Sequence, residues 1–553
     1  MKISKVLILA AMIPAAVVFA QGPRGGGRPG GGFPGGQPGG RPGGGFPGGQ
    51  PGRRPGAVVI PGGGGQPGGR PGGPVVVPGG RPDPVVIPRP DGPRPGPGPA
   101  PVIVVPHTIE IVRPAEIVQE VVITSEPTVT VEAASVQTAV ASAPVKAGDY
   151  RLVLLEDTEK DATPAICYKV GQEMKFVFSV DKLVGNPGEG KLFIKWKRSG
   201  DDGKTESGRA EISPEQAISL VTSIDRPGFV RIEASLEDEA GHDLKSVFDG
   251  GAGAELEKLA QAVPEPEDFD KFWAKQKQEL EKVAALPEIK KIQAKQEGFD
   301  AYEVKVPCSG PRPVTGYLII PSGAAAKSLP AKVHFQAYGV RDQVVPDGVE
   351  GTIYFDVNAH GIELSQPKSY YDGIRARLGH YAYDNAENKT PDTSYFRYMA
   401  ARVIRAFDFI KTVTAWNGKD LGVIGYSQGG LQAAWAAGLV PEITHAEIGM
   451  PWCTDVGCEK AGRQRGTCPD YQPGLDYYDP VNFIRRAPET CLIDIVRAGL
   501  GDYVAQPSGV AVLFNNAVGP KRVIFYQNCA HAEPNDLSTQ IVMRSEDWPE
   551  DVK

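Results

Sequence analysis

The residues Gly425-Tyr426-Ser427-Gln428-Gly429 set a serine between two glycines at the spacing G-x-S-x-G. An apolar run, residues 421–425, leads into them, and an alanine-rich run, Gln428–Leu439, leads out. Read as strand, turn and helix, this is a nucleophile elbow. The turn strains the serine so that its hydroxyl stands above the sheet at a helix N-terminus, where negative charge is favoured. The glycines are needed because strand and helix pass so closely that a Cβ would collide. The chemistry on offer is attack of a hydroxyl on an acyl carbon.

A serine hydroxyl is a poor nucleophile near neutral pH and needs a base. Behind a nucleophile elbow the chain order is serine, carboxylate, histidine. Of the seven histidines, only His445 and His531 follow Ser427. His445 comes too soon to leave room for an acid-bearing loop. His531 follows a strand over 523–526, in the loop Asn528-Cys529-Ala530-His531-Ala532-Glu533. The acid should follow the preceding strand, 492–496, and there the glycine-rich turn Gly499-Leu500-Gly501 ends in Asp502. Asp494 lies within that strand, and Asp476 and Asp479 precede it. Asp502 is the choice, with a buried carboxylate capping the next helix as its other reading. Asp502 would hold the ring of His531 in one tautomer and stabilise the imidazolium. Two donors should face the oxyanion: the backbone N–H of Gln428, and Tyr338 or its adjoining backbone in the turn after a strand over 331–337.

The elements that must position these residues fill the second half of the chain. Strands are predicted over 331–337, Ile353–Val357, 421–425, 492–496 and 523–526, with helices over 268–286, 395–414, Gln428–Leu439 and 508–516. Strands alternating with helices imply a mostly parallel sheet covered on both faces. Residues 251–553 thus read as one α/β domain, which the resemblance given below makes an α/β-hydrolase domain. Before it, residues 147–250 alternate polar and apolar over 151–155, 175–180, 192–196 and 229–236, separated by Gly, Asn, Pro and Asp turns. This is the pattern of a small β-sandwich, read as a scaffold, with carbohydrate binding as the alternative.

The N-terminal part has another character. The chain has 553 residues, with 69 glycines and 52 prolines. They crowd into residues 21–101, where too few apolar side chains remain for a core, so a disordered segment is expected. Residues 102–146 read as a linker, rich in Val, Thr, Glu and Ala, forming isolated strands or simply a stalk. Residues 21–101 hold nine arginines, no lysine and two aspartates, whereas 102–553 carry a net charge of −16. An acidic body argues against nucleic acid as a partner. The basic stalk leaves open contact with an anionic cell surface. Residues 1–20 have a basic start (Lys2, Lys5), an apolar stretch and a small-residue cleavage site before Gln21, which predicts a signal peptide. The expected location is secreted, periplasmic or at the cell surface, with no integral membrane segment once the leader is cut.

Seven cysteines, an odd number, leave at least one thiol unpaired unless it bonds another chain. Cys453, Cys458 and Cys468 lie close together, and in an oxidising compartment one disulfide among them is reasonable. Their spacings lack a C-x-x-C pair, so no zinc site is read. No cofactor or metal is called for.

At these residues the chain resembles the acetyl xylan esterase and cephalosporin C deacetylase family of α/β hydrolases. The resemblance runs from about Pro264 to Glu533. Its pieces are Asp268-Phe269-Asp270-Lys271-Phe272-Trp273, Gly425-Tyr426-Ser427-Gln428-Gly429-Gly430, Tyr478-Asp479-Pro480-Val481-Asn482-Phe483, Gly499-Leu500-Gly501-Asp502, Gly519-Pro520-Lys521 and His531. The resemblance implies a Ser427-Asp502-His531 triad, with Tyr338 of Gln336-Ala337-Tyr338 in the place of the family's oxyanion tyrosine. Two pieces depart from the family's pattern. Asn358-Ala359-His360-Gly361 replaces an R-G-Q piece, and His531-Ala532 replaces a late H-E dipeptide, with Glu533 one position on.

The implied function is a secreted serine esterase that removes acetyl groups from acetylated carbohydrate through an acyl-enzyme. A general short-chain esterase or peptidase on the same fold is the first alternative. A non-catalytic surface protein using the fold as scaffold is the second. Ring-shaped oligomers occur in the family, and a homo-oligomer is left open here.

Overall fold

The computed structural model describes residues 107–112, 144–155, 163–185 and 187–552, all within one unit spanning 97–553. The expected signal peptide, the Gly/Pro-rich segment and most of the linker lie outside the described residues.

Among the described residues, eighteen strands form three sheets. The first, β1 (His107–Val112), falls inside the segment read as a linker. It pairs antiparallel with β18 (Gln540–Ser545) at one edge of an eleven-stranded sheet.

Seven strands build the sandwich. β2 (Tyr150–Leu155), β3 (Met174–Lys182) and β6 (Ile218–Thr222) make one sheet. β4 (Leu192–Gly200), β5 (Thr205–Ile212), β7 (Gly228–Asp238) and β8 (Asp243–Ala254) make the other, in the order β5-β4-β7-β8. Leu152, Phe176, Phe178, Ile194, Val230, Ile232, Leu236 and Phe248 are buried between the sheets. Their period of two is why these segments form strands rather than helices. Phe229 faces the other way, and with Leu256 and Leu259 it joins the core of the large sheet. The sandwich therefore shares a core with the α/β layer.

The remaining strands are β9 (Glu288–Ile292), β10 (Phe299–Val306), β11 (Val314–Pro321), β12 (Leu329–Phe335), β13 (Ile353–Val357), β14 (Trp416–Tyr426), β15 (His445–Gly449), β16 (Leu492–Gly499) and β17 (Lys521–Tyr526). The sheet order is β1-β18-β17-β16-β15-β14-β12-β13-β11-β10-β9. Strands β13, β12, β14, β15, β16 and β17 run parallel, and antiparallel strands close both edges. This is an α/β-hydrolase sheet.

Helices α1 (Phe269–Glu281), α2 (Lys368–Leu378), α3 (Phe396–Ile410), α4 (Gln428–Leu439), α5 (Pro480–Ile484) and α6 (Pro507–Asn516) cover it. Helix α4 is apolar around its whole circumference because sheet and helices enclose it. Leu431, Ala433, Ala434, Trp435, Ala436 and Ala437 are all fully buried. The Trp435 indole N–H donates to the Tyr478 carbonyl at 2.7 Å, so the large side chain is held at its polar end as well. Among the described residues, no helix is long and apolar enough to cross a membrane. All seven cysteines are free thiols. A disulfide among Cys453, Cys458 and Cys468 is therefore not formed, and burial pushes the Cys458 and Cys468 thiols up to about 12.

Candidate active site

Strand β14 turns into α4 at Ser427, whose φ of 57° and ψ of −117° are strained for a residue with a side chain. Three backbone hydrogen bonds hold the strain. Ser427 N–H donates to Gly449 O at 2.9 Å. Its carbonyl accepts from Leu431 N–H at 3.0 Å and from Trp452 N–H at 3.1 Å. A Cβ on Gly425 would lie 2.3 Å from Gly429 O, and one on Gly429 would lie 2.1 Å from Phe335 O. Both obstacles are backbone and cannot yield, which is the physical content of the G-x-S-x-G spacing.

The candidate base and acid, His531 and Asp502, follow the ends of β17 and β16. A Cβ on Gly499 would lie 2.3 Å from Cys529 O, so the two loops pass backbone against backbone. Gly501 N–H donates to Cys529 O at 3.0 Å, and Leu500 N–H to Tyr526 O at 2.8 Å. The result is a continuous chain of contacts. His531 Nε2 lies 2.9 Å from Ser427 Oγ, and His531 Nδ1 lies 2.8 Å from Asp502 Oδ2. Asp502 is fully buried. Its other oxygen accepts from Val504 N–H at 2.7 Å and Ala505 N–H at 2.9 Å. The carboxylate thus both faces His531 and caps the following turn, so the two readings of Asp502 are compatible. With Nδ1–H turned to the carboxylate, Nε2 is left to accept from the serine.

The other residues weighed as base or acid lie elsewhere. His445 begins β15, opposite Gly422 and four residues down the sheet from the elbow. Asp494 forms a two-point ion pair with Arg522 at 2.9 and 2.6 Å. Asp479 caps α5, and Asp476 accepts from the Tyr471 hydroxyl at 2.9 Å.

On the oxyanion side, the N–H of Gln428 is the first of α4 and has no acceptor one turn earlier within the helix. Tyr338 lies in the loop after β12. Its ring stacks on Tyr381 at 4.5 Å and meets Trp452 edge-on at 5.2 Å and Tyr383 at 6.3 Å. Tyr338 is thus part of an aromatic wall beside the elbow, since Trp452 also bonds Ser427 through its backbone.

Sequence reasoning missed Tyr381. Its hydroxyl sits between the two candidate donors: it accepts from Gly339 N–H at 2.9 Å and donates to the side-chain oxygen of Gln428. Behind it stands His360 of the Asn358-Ala359-His360-Gly361 departure, edge-on to the Tyr381 ring with centroids 4.5 Å apart. His360 Nδ1 lies 2.8 Å from the Tyr395 hydroxyl, which accepts from Arg312 at 2.8 Å. Burial, and then the charges of Arg402 and Arg312, push His360 down to about 3, so it is a neutral spacer. Asn358 explains the shape of this turn: its side-chain oxygen accepts from His360 N–H at 2.9 Å and Ile362 N–H at 3.3 Å. The other departure is also accounted for, because Glu533 pairs with Arg497 at 2.7 Å. Among the described residues, no group of three or more His, Cys, Asp or Glu side chains is placed to hold a metal.

Comparison with known proteins adds a second line. Residues 253–457 match the family profile "Acetyl xylan esterase (AXE1)". That span includes Tyr338, Ser427 and Gln428 and ends before Asp502 and His531. Acetyl esterase Axe7A of Xylanibacter ruminicola is 24% identical over 343 residues, covering 57% of this chain and 74% of the relative. Two solved structures are also similar. One is an acetyl xylan esterase from Paenibacillus sp. R4, with a TM-score of 0.43, 20% identity, and coverage of 51% of this chain and 94% of that one. The other is acetyl xylan esterase 1 from Thermoanaerobacterium sp. JW/SL YS485, with a TM-score of 0.41, 19% identity and coverage of 51% and 94%. Over residues 253–457 the chain is thus similar to acetyl xylan esterases, and it is a carboxylic ester hydrolase.

Proposed function

We propose that this protein hydrolyses acetyl esters of carbohydrates, with Ser427 as nucleophile, His531 as general base and then general acid, and Asp502 as the carboxylate that orients it. The observation that carries the reading is the single imidazole of His531 set 2.9 Å from Ser427 Oγ and 2.8 Å from Asp502, in a chain whose elbow lies within the family match. Ser427 Oγ attacks the acetyl carbonyl while His531 Nε2 takes its proton. The oxyanion receives the N–H of Gln428 and a donor from Tyr338, each worth about 10²–10³ in rate. His531 returns the proton to the departing sugar hydroxyl, leaving an acetyl-enzyme. Water then repeats the sequence and releases acetate.

The wall of Tyr338, Tyr383 and Trp452 favours a small acyl group over a long one. We further propose export through residues 1–20, for which the sequence pattern is the support. A mature N-terminus at Gln21 is the result that checks it. The enzymatic reading is tested by acetate release from acetylated xylan. The full chain should release acetate, and Ser427→Ala should fold and release none above background. Retention of most activity by that variant would overturn the mechanism.

A further inference from the structure

The sandwich meets the α/β layer at one place of chemical interest, the seam between β8 and the two loops that carry Asp502 and His531. The side chain of Gln527, four residues before His531, pairs with the backbone of Gly251 in both directions. Gly251 N–H donates to Gln527 Oε1 at 2.8 Å, and Gln527 Nε2 donates to Gly251 O at 2.8 Å. The next residue, Asn528, accepts from Asp249 N–H at 3.3 Å through its side chain. Asn528 itself has a left-handed backbone, with φ of 53°.

The acid loop touches the same strand at Asp249 and Gly251. A Cβ on Gly501, next to Asp502, would lie 2.4 Å from the Asp249 carbonyl. A Cβ on Gly250 would lie 2.0 Å from Gln527 Oε1, and one on Gly251 would lie 2.2 Å from Val230 O and 3.1 Å from Leu500 O. Glycine stands on both sides of the seam because nothing larger lets β8 come within backbone contact of both loops. Asp249 is fixed in turn by a two-point ion pair with Arg231 of β7, at 2.8 and 2.7 Å. The same guanidinium covers the ring of Tyr503, the residue after Asp502, at 5.2 Å. Phe229 packs on Phe525 at 5.8 Å, just below the base loop.

We propose that β8 of the sandwich is a positioning element of the esterase site. Residues Asp249 to Gly251, with Gln527 and Arg231 as its fasteners, set the separation of the Asp502 and His531 loops. Neither Gln527 nor Arg231 touches substrate. They act through the placement of His531 against Ser427, where an error of about 1 Å can lower the rate about 10²-fold. This assigns the sandwich a duty in turnover distinct from scaffold or sugar binding, and it rests on the triad proposed above.

The test uses the full chain. Gln527→Ala removes both hydrogen bonds to Gly251, and Arg231→Met removes the ion pair while keeping a long apolar side chain. Each variant's kcat is measured on a small soluble acetyl ester and normalised to folded protein by near-ultraviolet circular dichroism. The expected result is kcat at least about ten-fold lower with KM within about two-fold, because binding is untouched and attack geometry is lost. Adding Gln527→Ala to Ser427→Ala should then cost nothing further, since no nucleophile remains to be positioned. An unchanged kcat per folded molecule overturns the proposal. So does a raised KM on acetylated xylan at unchanged kcat, which would make the seam a sugar-binding feature. Activity surviving in Ser427→Ala alone would instead overturn the triad, so the two failures are told apart.

Discussion

The two sides of Ser427 are held by different means. Toward His531 and Asp502, the loops are fixed by backbone contacts and glycines, and an outside strand, β8, braces them. Toward Tyr338 and Gln428, the surroundings are aromatic rings packed face-on or edge-on with centroids 4.5–6.3 Å apart, with one tyrosine hydroxyl bridging Gly339 and Gln428. The contrast matches what each side is asked to do. The distance between nucleophile and base tolerates little error, and backbone hydrogen bonds with close-packed glycines give a stiff frame. On the proposed reading the acyl group lies against the aromatic wall, and rings can be exchanged or trimmed without disturbing the main chain. Changes of rate should therefore concentrate on the first side and changes of specificity on the second.

The largest expected effect breaks the stiff side at its centre. Asp502→Asn keeps the size of the side chain but offers His531 a donor or a neutral oxygen in place of a carboxylate, so the imidazole loses its favoured tautomer. A fall of about 10⁴-fold in kcat is expected, measured on a small acetyl ester. A loss under ten-fold would mean that Asp502 serves only to cap Val504 and Ala505.

Next comes the bridge on the aromatic side. Tyr381→Phe keeps the stack on Tyr338 and removes only the hydroxyl between Gly339 and Gln428. The expected loss is about ten-fold in kcat, equal for acetyl and butyryl esters, because the hydroxyl acts on the donors and not on the pocket. A loss that depends on acyl length would move Tyr381 from the donor side to the pocket wall.

The pocket itself is probed by chain length. Across acetyl, butyryl and octanoyl esters of one phenol, kcat/KM should be highest for acetyl, several-fold lower for butyryl and negligible for octanoyl. Each methylene that found an apolar slot would gain about 0.8 kcal/mol, so a maximum at butyryl or beyond would replace the deacetylase reading with a general esterase. Tyr338→Ala should narrow the gap between acetyl and butyryl while lowering the acetyl rate.

What was legible in the sequence follows the same division. The elbow could be read because its constraint is local: Gly425 and Gly429 are excluded from bearing a Cβ by atoms within a few residues or on the neighbouring strand. Ile353–Val357 and Gln428–Leu439 have the limits the sequence suggests, since both are buried on every side and end abruptly. The family pieces located Asp502 and His531 in order along the chain. The antiparallel strands β9, β10 and β11 were not read, because their connections are short and no crossover helix marks them. Helix α2 was missed as well, interrupted as it is by Gly373. The seam was invisible for a different reason. Gln527 and Gly251 are 276 residues apart, and neither an amide nor a glycine announces a partner. Tyr381 lies in an irregular stretch where one tyrosine among several has no pattern to single it out. The cysteine cluster misled because spacing alone cannot show that neighbouring thiols stay unbonded.

The smallest effect concerns the stability of the seam and separates its charge from its shape. Burial pushes the Asp249 carboxyl up to about 6, against the pull of Arg231, and the nearby charges of Glu233 and Asp502 raise it further. In the unfolded chain the same group titrates near 3.9. Between these values the folded state keeps a proton that the unfolded state has lost. Stability from this group is therefore fully present below about pH 4 and is lost as pH rises through about 6. Asn in its place never ionises and lacks this dependence. Asp249→Asn also leaves Arg231 without its partner, but that penalty is the same at every pH. The difference in melting temperature, variant minus wild type, should hence become more favourable to the variant as pH rises from 4 to 6.5 and then level off. Discounted for partial exposure, the change should be about 1 kcal/mol, a shift of a few degrees at most. Melting curves of both proteins at half-unit intervals of pH measure it. A difference that is constant, or that moves against the variant with rising pH, would mean that Asp249 stays an ordinary surface carboxylate and that the seam is held by shape alone.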